Sequence, residues 1–397
     1  MEGSNILYKA IGGNKVKENV QHIIVFLIGI SCISCKTIAQ QELPSDKDAT
    51  KETVNLYNSL KKLAEKGFMF GHQDALAYGV EWKYKEGRSD VKDVVGDYPA
   101  VYGWDLGGIE RPNGDVNLDG VPFKKMKQFI RQGYERGGVI TISWHTDSPF
   151  GADKGAWDTT HGTVASVNPG GSNHAKYKEW LDKVASFIGS LKGSKGEAIP
   201  VLFRPFHEHT GNWFWWGRNA CTDFEYKTLW RFTVYYLQKE KKLHNLLWVY
   251  NTGGDFETKE EFLERYPGDD MADMLSFDTY QYGDPKKEKW FEENTLKRLT
   301  LVGEIAKEKN KLFALAETGY EAIPYAEWWT TTLLNAIGNN KISYVLLWRN
   351  HGYHEGMKKM HYYAPYKGQV SKQDFIKFYQ LERTLFEKDI SNEKLYQ

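Results

Sequence analysis

The run Pro200-Val201-Leu202-Phe203-Arg204-Pro205-Phe206-His207-Glu208 stays largely apolar until it ends in groups that are costly to bury. The same form returns at Phe68–Asp74, Ala100–Leu106, Val139–His145, Leu246–Asn251, Met274–Gln281, Leu312–Glu317 and Ile342–Asn350. Near-continuous apolar runs of this length suit strands of a parallel sheet, which are buried on both faces. Between them lie amphipathic stretches long enough for crossover helices, clearest at Phe123–Arg136, Lys176–Leu191, Phe224–Lys241, Lys289–Lys309 and Tyr325–Ile337. Another helix is expected over Glu52–Lys66, where Val54, Leu56, Leu60 and Leu63 recur at near-helical spacing and Gly67 ends the pattern. Alternating strands and helices make an α/β protein. Eight such units fit a single closed (β/α)₈ TIM barrel better than a doubly wound sheet. No repeat or Pro/Ser-rich linker divides residues 51–397, so one domain is expected there.

The ends of the runs carry a second message. His72-Gln73-Asp74, Trp104-Asp105, Trp144-His145, His207-Glu208, Asn251, Asp278, Tyr280, Glu317 and Trp348-Arg349-Asn350 all fall on the C-terminal side. Structural charge pairs account for a few such residues. A whole rim of them is the expected position of a barrel's chemistry.

Lysine plus arginine equals aspartate plus glutamate at 52 each, so no net field draws the chain to nucleic acid or an anionic membrane. Aromatic residues are in excess, with 14 Trp and 24 Tyr. Each buried indole needs a partner for its N–H, whereas flat rings in a wet cleft suit the apolar faces of sugars. Cys221 stands alone in the body of the chain and reads as a small buried hydrophobe. Lys15 and Lys17 precede the short apolar run Ile23–Ile30, which trails into small residues with Cys32 and Cys35. Residues 1–39 therefore read as an export signal. Cleavage after Ala39 and lipidation at Cys32 or Cys35 both remain open, and the site of action is periplasmic, secreted or on the outer membrane. Residues 40–50 are polar and expected to form a flexible linker.

Two carboxylates stand out. Glu208 ends the fourth run, with Trp213, Trp215 and Trp216 close behind it. An aromatic, poorly hydrated setting disfavours the charged carboxylate and suits a general acid. Glu317 ends the seventh run, in Ala314-Leu315-Ala316-Glu317-Thr318-Gly319. The two are far apart in sequence, and only a closed barrel brings them to one mouth. Glycosidic cleavage needs two carboxyl groups flanking the bond.

Arg204-Pro205-Phe206-His207-Glu208 followed by Gly211-Asn212-Trp213-Phe214-Trp215-Trp216 resembles the acid/base strand of glycoside hydrolase family 26. Ala316-Glu317-Thr318-Gly319 is similar to that family's nucleophile strand. Gly71-His72-Gln73, Asp278-Thr279-Tyr280-Gln281 and Leu347-Trp348-Arg349-Asn350 resemble further blocks. The resemblance implies a retaining endo-β-1,4-mannanase on a (β/α)₈ barrel, acting on mannan, galactomannan or glucomannan without a cofactor or catalytic metal. It implies Glu208 as acid/base and Glu317 as nucleophile. By the same analogy His207 holds the sugar at the cleavage site, and Tyr280 hydrogen-bonds Glu317. Trp348 lies under that sugar, Trp213 and Trp157 stack on its neighbours, and His145 borders the acid/base. Arg349 and Asp278 are further candidates.

Other readings stay beside this one. His207 and His209 share a strand face, but a zinc site needs a third ligand. Trp215-Trp216 and Trp328-Trp329 are read as packing, and Gly107-Gly108 and Gly253-Gly254 as turns, with no nucleotide fingerprint. The same chemistry on β-1,3-xylan or mixed-linkage β-glucan is one alternative. A non-catalytic glycan-binding barrel is the other. The segments 81–98, 147–173 and 284–290 are long enough to wall one end of the cleft, which would favour release of mannobiose. With no leftover apolar stripe, a monomer is expected.

Overall fold

The computed structural model describes residues 41–151 and 153–397. Eight parallel strands follow one another around the sheet: β1 (Phe68–Gln73), β2 (Val101–Asp105), β3 (Val139–Trp144), β4 (Val201–Pro205), β5 (Leu246–Gly253), β6 (Met274–Gln281), β7 (Leu312–Tyr320) and β8 (Tyr344–Leu347). Met69 pairs with Tyr344 and His72 with Leu347, which joins β8 to β1 and closes the barrel. The main outer helices are α1 (Lys51–Lys66), α2 (Phe123–Glu135), α3 (His174–Gly189), α4 (Asp223–Tyr235) and α5 (Trp290–Lys309). Thr50 caps α1 by accepting from Thr53 N, and Thr222 with Glu225 forms a reciprocal capping box on α4.

Side chains alternate across each strand, as the pleat requires. Met69, Val101, Val139, Leu202, Leu247, Met274 and Leu346 fill the barrel, with α1 closing its floor through Leu56, Leu60 and Leu63. Phe70, Trp104, Ile142, Phe203, Trp248, Phe277 and Leu347 face the helices. On β7 the alternation is broken. Phe277 pairs with Leu315 but Asp278 with Glu317, and from the other side Val345 pairs with Leu315 but Leu347 with Thr318. One extra residue is therefore inserted around Ala316, a β-bulge seen by both neighbours. Ala314 and Ala316 point into the barrel and Leu315 outward. Without the bulge, Glu317 would follow Leu315 into the helix layer. With it, the carboxylate swings back to the mouth.

Residues 41–50 are not the flexible linker expected from their polarity. Ser45 donates from its N and its Oγ to the Asp273 carboxylate, at 2.6 and 3.1 Å. Asp46 is buried against His244 Nδ1 at 2.8 Å, and Thr50 N donates to His244 O. Those partners lie some two hundred residues away in sequence, so local composition could not reveal them. Residues 1–39, expected from the sequence to be an export signal, lie outside the described residues with Cys32 and Cys35. Among the described residues no helix is long and apolar enough to cross a membrane.

Candidate active site

The site is built on the C-terminal ends of the strands around one buried guanidinium. Arg204 projects into the barrel from β4. Its Nη1 donates to Asp278 Oδ2 at 2.5 Å and Asn251 Oδ1 at 3.2 Å, and its Nη2 donates to Glu317 Oε2 at 2.6 Å. Both salt bridges exclude water, since the Arg204 side chain is 3 % exposed. Asn251 completes the frame, donating to Asp278 Oδ1 at 2.9 Å and accepting from the backbone N of Glu208 at 3.3 Å. Tyr280 OH donates to Glu317 Oε1 at 2.5 Å. Each Glu317 oxygen thus has its own donor, one charged and one neutral, and the carboxylate has a single orientation.

Glu208 reaches the mouth by a different device. β4 ends at Pro205, and the next residues include two in the left-handed region, Phe206 at φ 50° and Glu208 itself at φ 51°. Such conformations are costly for residues with a Cβ and persist where surrounding packing holds them. Here Phe206 is fully buried among Trp215, Trp216, Tyr226 and Trp230. That aromatic nest anchors the turn which presents Glu208. Trp213 Nε1 donates to Glu208 Oε2 at 2.8 Å. Burial pushes the Glu208 carboxyl up to about 7, with the neighbouring Glu317 charge pushing the same way and Arg204, Trp213 and His145 opposing. One oxygen each of Glu208, Asp278 and Glu317 lie within 4.8 Å of one another.

The expected sugar-contacting residues fall into two groups. Trp157 (54 % exposed) and Trp213 (44 % exposed) offer open rings. Trp157 stacks on His145 with centroids 5.5 Å apart, and Trp348 lies 6.3 Å from the same imidazole. His207 is 1 % exposed, its Nε2 lies 3.0 Å from His145 Nε2, and its Nδ1 has no protein partner. His209 shares no site with it, being buried against Tyr226 and Tyr250. Asp278 belongs to the Arg204 frame, and Arg349 pairs with Asp119 at 2.8 Å. Trp215, Trp216, Trp328 and Trp329 are fully buried, and Cys221 is buried, as packing requires.

Sequence reading missed three residues. Arg204 stands in the sequence as one member of a motif, yet a permanent charge inside an apolar strand must find buried counter-ions, and that is the available signal. Asn251 and Asp105 read in the sequence only as polar strand ends. Asp105 accepts from His145 Nδ1 at 2.7 Å.

A closed parallel barrel that carries a carboxyl of raised pKa after its fourth strand, and a guanidinium-clamped carboxylate on its seventh, has the two facing carboxyl groups that glycosidic cleavage needs. Comparison with known proteins narrows this. The model of Glycosyl hydrolase family 26 matches residues 45–361. A mannan endo-1,4-beta-mannosidase of Bifidobacterium adolescentis is 33 % identical over 84 % of the chain, and the match covers 34 % of that protein. A β-mannanase of this family from Bacteroides ovatus superposes with a TM-score of 0.82 at 48 % identity, over 88 % of this chain and 98 % of that one. The catalytic domain of a Bacillus endo-β-1,4-mannanase gives 0.81 at 31 % identity, over 90 % and 97 %. The chain belongs to glycosyl hydrolase family 26. It spans about a third of the Bifidobacterium relative and about half of a second mannan endo-1,4-beta-mannosidase, from Caldalkalibacillus mannanilyticus.

Proposed function

We propose that the protein is a retaining β-mannanase that hydrolyses β-1,4-mannosidic bonds of mannan, galactomannan or glucomannan. The observation that carries the mechanism is the closeness of the two carboxyl groups. Retaining enzymes hold them about 5–5.5 Å apart, whereas inverting enzymes leave roughly 6.5–9.5 Å for a water molecule. Glu208 and Glu317 offer oxygens within 4.8 Å of each other, which supports the retaining geometry. Glu317 attacks the anomeric carbon while Glu208 gives its proton to the departing glycosidic oxygen, and a glycosyl ester on Glu317 results. Glu208, now a carboxylate, takes a proton from water as that water displaces Glu317. Arg204 and Tyr280 fix the attacking carboxylate and accept its changing charge. The substrate assignment is supported by the related proteins' own activities and by the open rings of Trp157 and Trp213. Export through residues 1–39 is part of this reading, since intact mannan is too large to enter a cell unaided.

The test is product analysis on linear mannan by the protein and by Glu317→Gln. A ladder of manno-oligosaccharides from the protein, reduced on the order of a thousandfold or more in the variant, is expected for an endo-acting double displacement. Mannobiose alone at the earliest times would keep the chemistry and make the action exo. Silence on mannan would overturn the substrate assignment, and equal activity in Glu317→Gln would overturn the nucleophile.

A further inference from the structure

Asp105 ends β2 with no exposed surface, and its hydrogen bonds go to neither catalytic carboxylate. Its Oδ1 accepts from Gly107 N at 2.6 Å and His145 N at 3.2 Å. Its Oδ2 accepts from Ser143 Oγ at 2.5 Å and meets His145 Nδ1 at 2.7 Å. Four partners leave this carboxylate one orientation, and that orientation is aimed at the His145 ring.

The other ring nitrogen meets a second imidazole. His145 Nε2 lies 3.0 Å from His207 Nε2, and two ring nitrogens at that distance need one proton between them. Burial, followed by the repulsion of His145 and Arg204, drives His207 well below its ordinary value, so His207 is the neutral partner. His145 is buried as well, which opposes its charge, but Asp105 outweighs burial, and Glu317 and Asp119 add to it. Protonation is thus favoured at His145 over His207, and a protonated His145 would place one N–H on Asp105 and the other on His207. The charged groups around it are Asp105 on β2, Asp119 after β2 with its partner Arg349 after β8, Glu208 after β4 and Glu317 on β7. Trp157 covers its outer face with rings inclined at 19°, the arrangement of a cation–π pair.

We propose that Asp105 is a positioning residue that acts through His145, stationing one positive charge beside Glu208 and so setting the pH at which the acid/base gives up its proton. The proposal rests on the reading of Glu208 as acid/base. His145 touches the neighbour of Glu208, whereas Asp105 stands on the far side of the ring, so the nearer member of the pair is the positive one. The stacked Trp157 is held over the same ring, which couples this charge to an open aromatic surface of the cleft.

The experiment compares Asp105→Asn, Asp105→Glu and His145→Gln with the unaltered protein, all in the full chain. In Asp105→Asn the amide oxygen still accepts from Gly107, but His145 loses its counter-ion and becomes neutral. The alkaline limb of kcat/KM on manno-oligosaccharide is expected to move to higher pH by about half a unit or more. His145→Gln should move it equally, the double variant no further, and Asp105→Glu should bring it part of the way back. In parallel, nitrogen-15 NMR of the imidazoles follows the His145 titration directly. Its midpoint should lie above the ordinary histidine value in the unaltered protein and fall in Asp105→Asn. A loss of kcat with an unmoved alkaline limb and an unmoved His145 titration would overturn the proposal and reduce Asp105 to a brace between β2 and β3. If no β-glycan is cleaved, the enzymatic reading fails, and the NMR titration still decides whether Asp105 charges His145.

Discussion

At Arg204 two carboxylates share one guanidinium in a space shielded from bulk solvent. Removing the cation leaves Asp278 and Glu317 buried, adjacent and of like charge, so Arg204→Met is expected to destabilise the protein by about 3–5 kcal/mol in urea unfolding. An unchanged midpoint would mean that solvent reaches the pair. Trp213 allows a finer test. Its indole N–H bonds the charged form of Glu208 and is one of the groups holding that carboxyl down. Trp213→Phe keeps a flat ring and loses the donor, so the Glu208 carboxyl should rise above about 7. The alkaline limb of the pH–rate profile should then move to higher pH, by roughly half a unit. An opposite shift would place the limb on another group.

Among the elements, the bulge on β7 and the left-handed turn after β4 do the positioning. One adds a residue to a strand, the other breaks off a strand early, and both re-aim a carboxylate that regular alternation would send elsewhere. A third element flanks Trp348. The hairpin of Tyr78–Gly79 with Trp82–Lys83 meets the hairpin of Gly352–His354 with Lys359–His361 through Asp90 and Asn350. Asp90 accepts from Val80 N and Trp82 Nε1. Asn350 donates to Asp90 and to Ala364 O, and accepts from the N–H groups of Tyr363 and Ala364. Asn350→Ala strands three backbone groups, Tyr363 N, Ala364 N and Ala364 O, and a loss of about 2–4 kcal/mol is expected in thermal or urea unfolding. A loss under half a kilocalorie would mean the clasp is already open to water.

On the scale of the whole molecule, three buried carboxyls, Glu208 among them, oppose stability in a pH-dependent way. Burial raises the carboxyl of Glu208 from 4.5 to about 7, and burial does the same to Glu110 and Glu387. A carboxyl whose folded value lies above its unfolded one contributes stability that is complete below the unfolded value and lost as pH rises through the folded one. Unfolding free energy should therefore fall between about pH 4.5 and pH 8. Glu208→Gln should remove its share of that fall, on the order of 2 kcal/mol, and leave the variant less weakened than the parent at pH 8. Parallel curves for the two proteins would show that Glu208 is better hydrated than its surroundings indicate.

The sequence by itself determined the barrel, its strand order and the rim of polar strand ends. Apolar runs and helical periodicity are local patterns, and each survives being read without its neighbours. Glu208 and Glu317 were legible for the same reason, as acids ending apolar runs in blocks that resemble a known family. Tertiary structure alone decided what holds them. The bulge has no signature, because Ala314-Leu315-Ala316 reads equally well as a regular strand. His207 meets the imidazole of His145 from another strand, a contact its own segment does not announce. Arg204, Asn251 and Asp105 gain their roles from partners on other strands, and residues 41–50 are ordered by Asp273 and His244. A buried charge is stable only where its counter-ions converge, and convergence is a property of the closed barrel that no single segment contains.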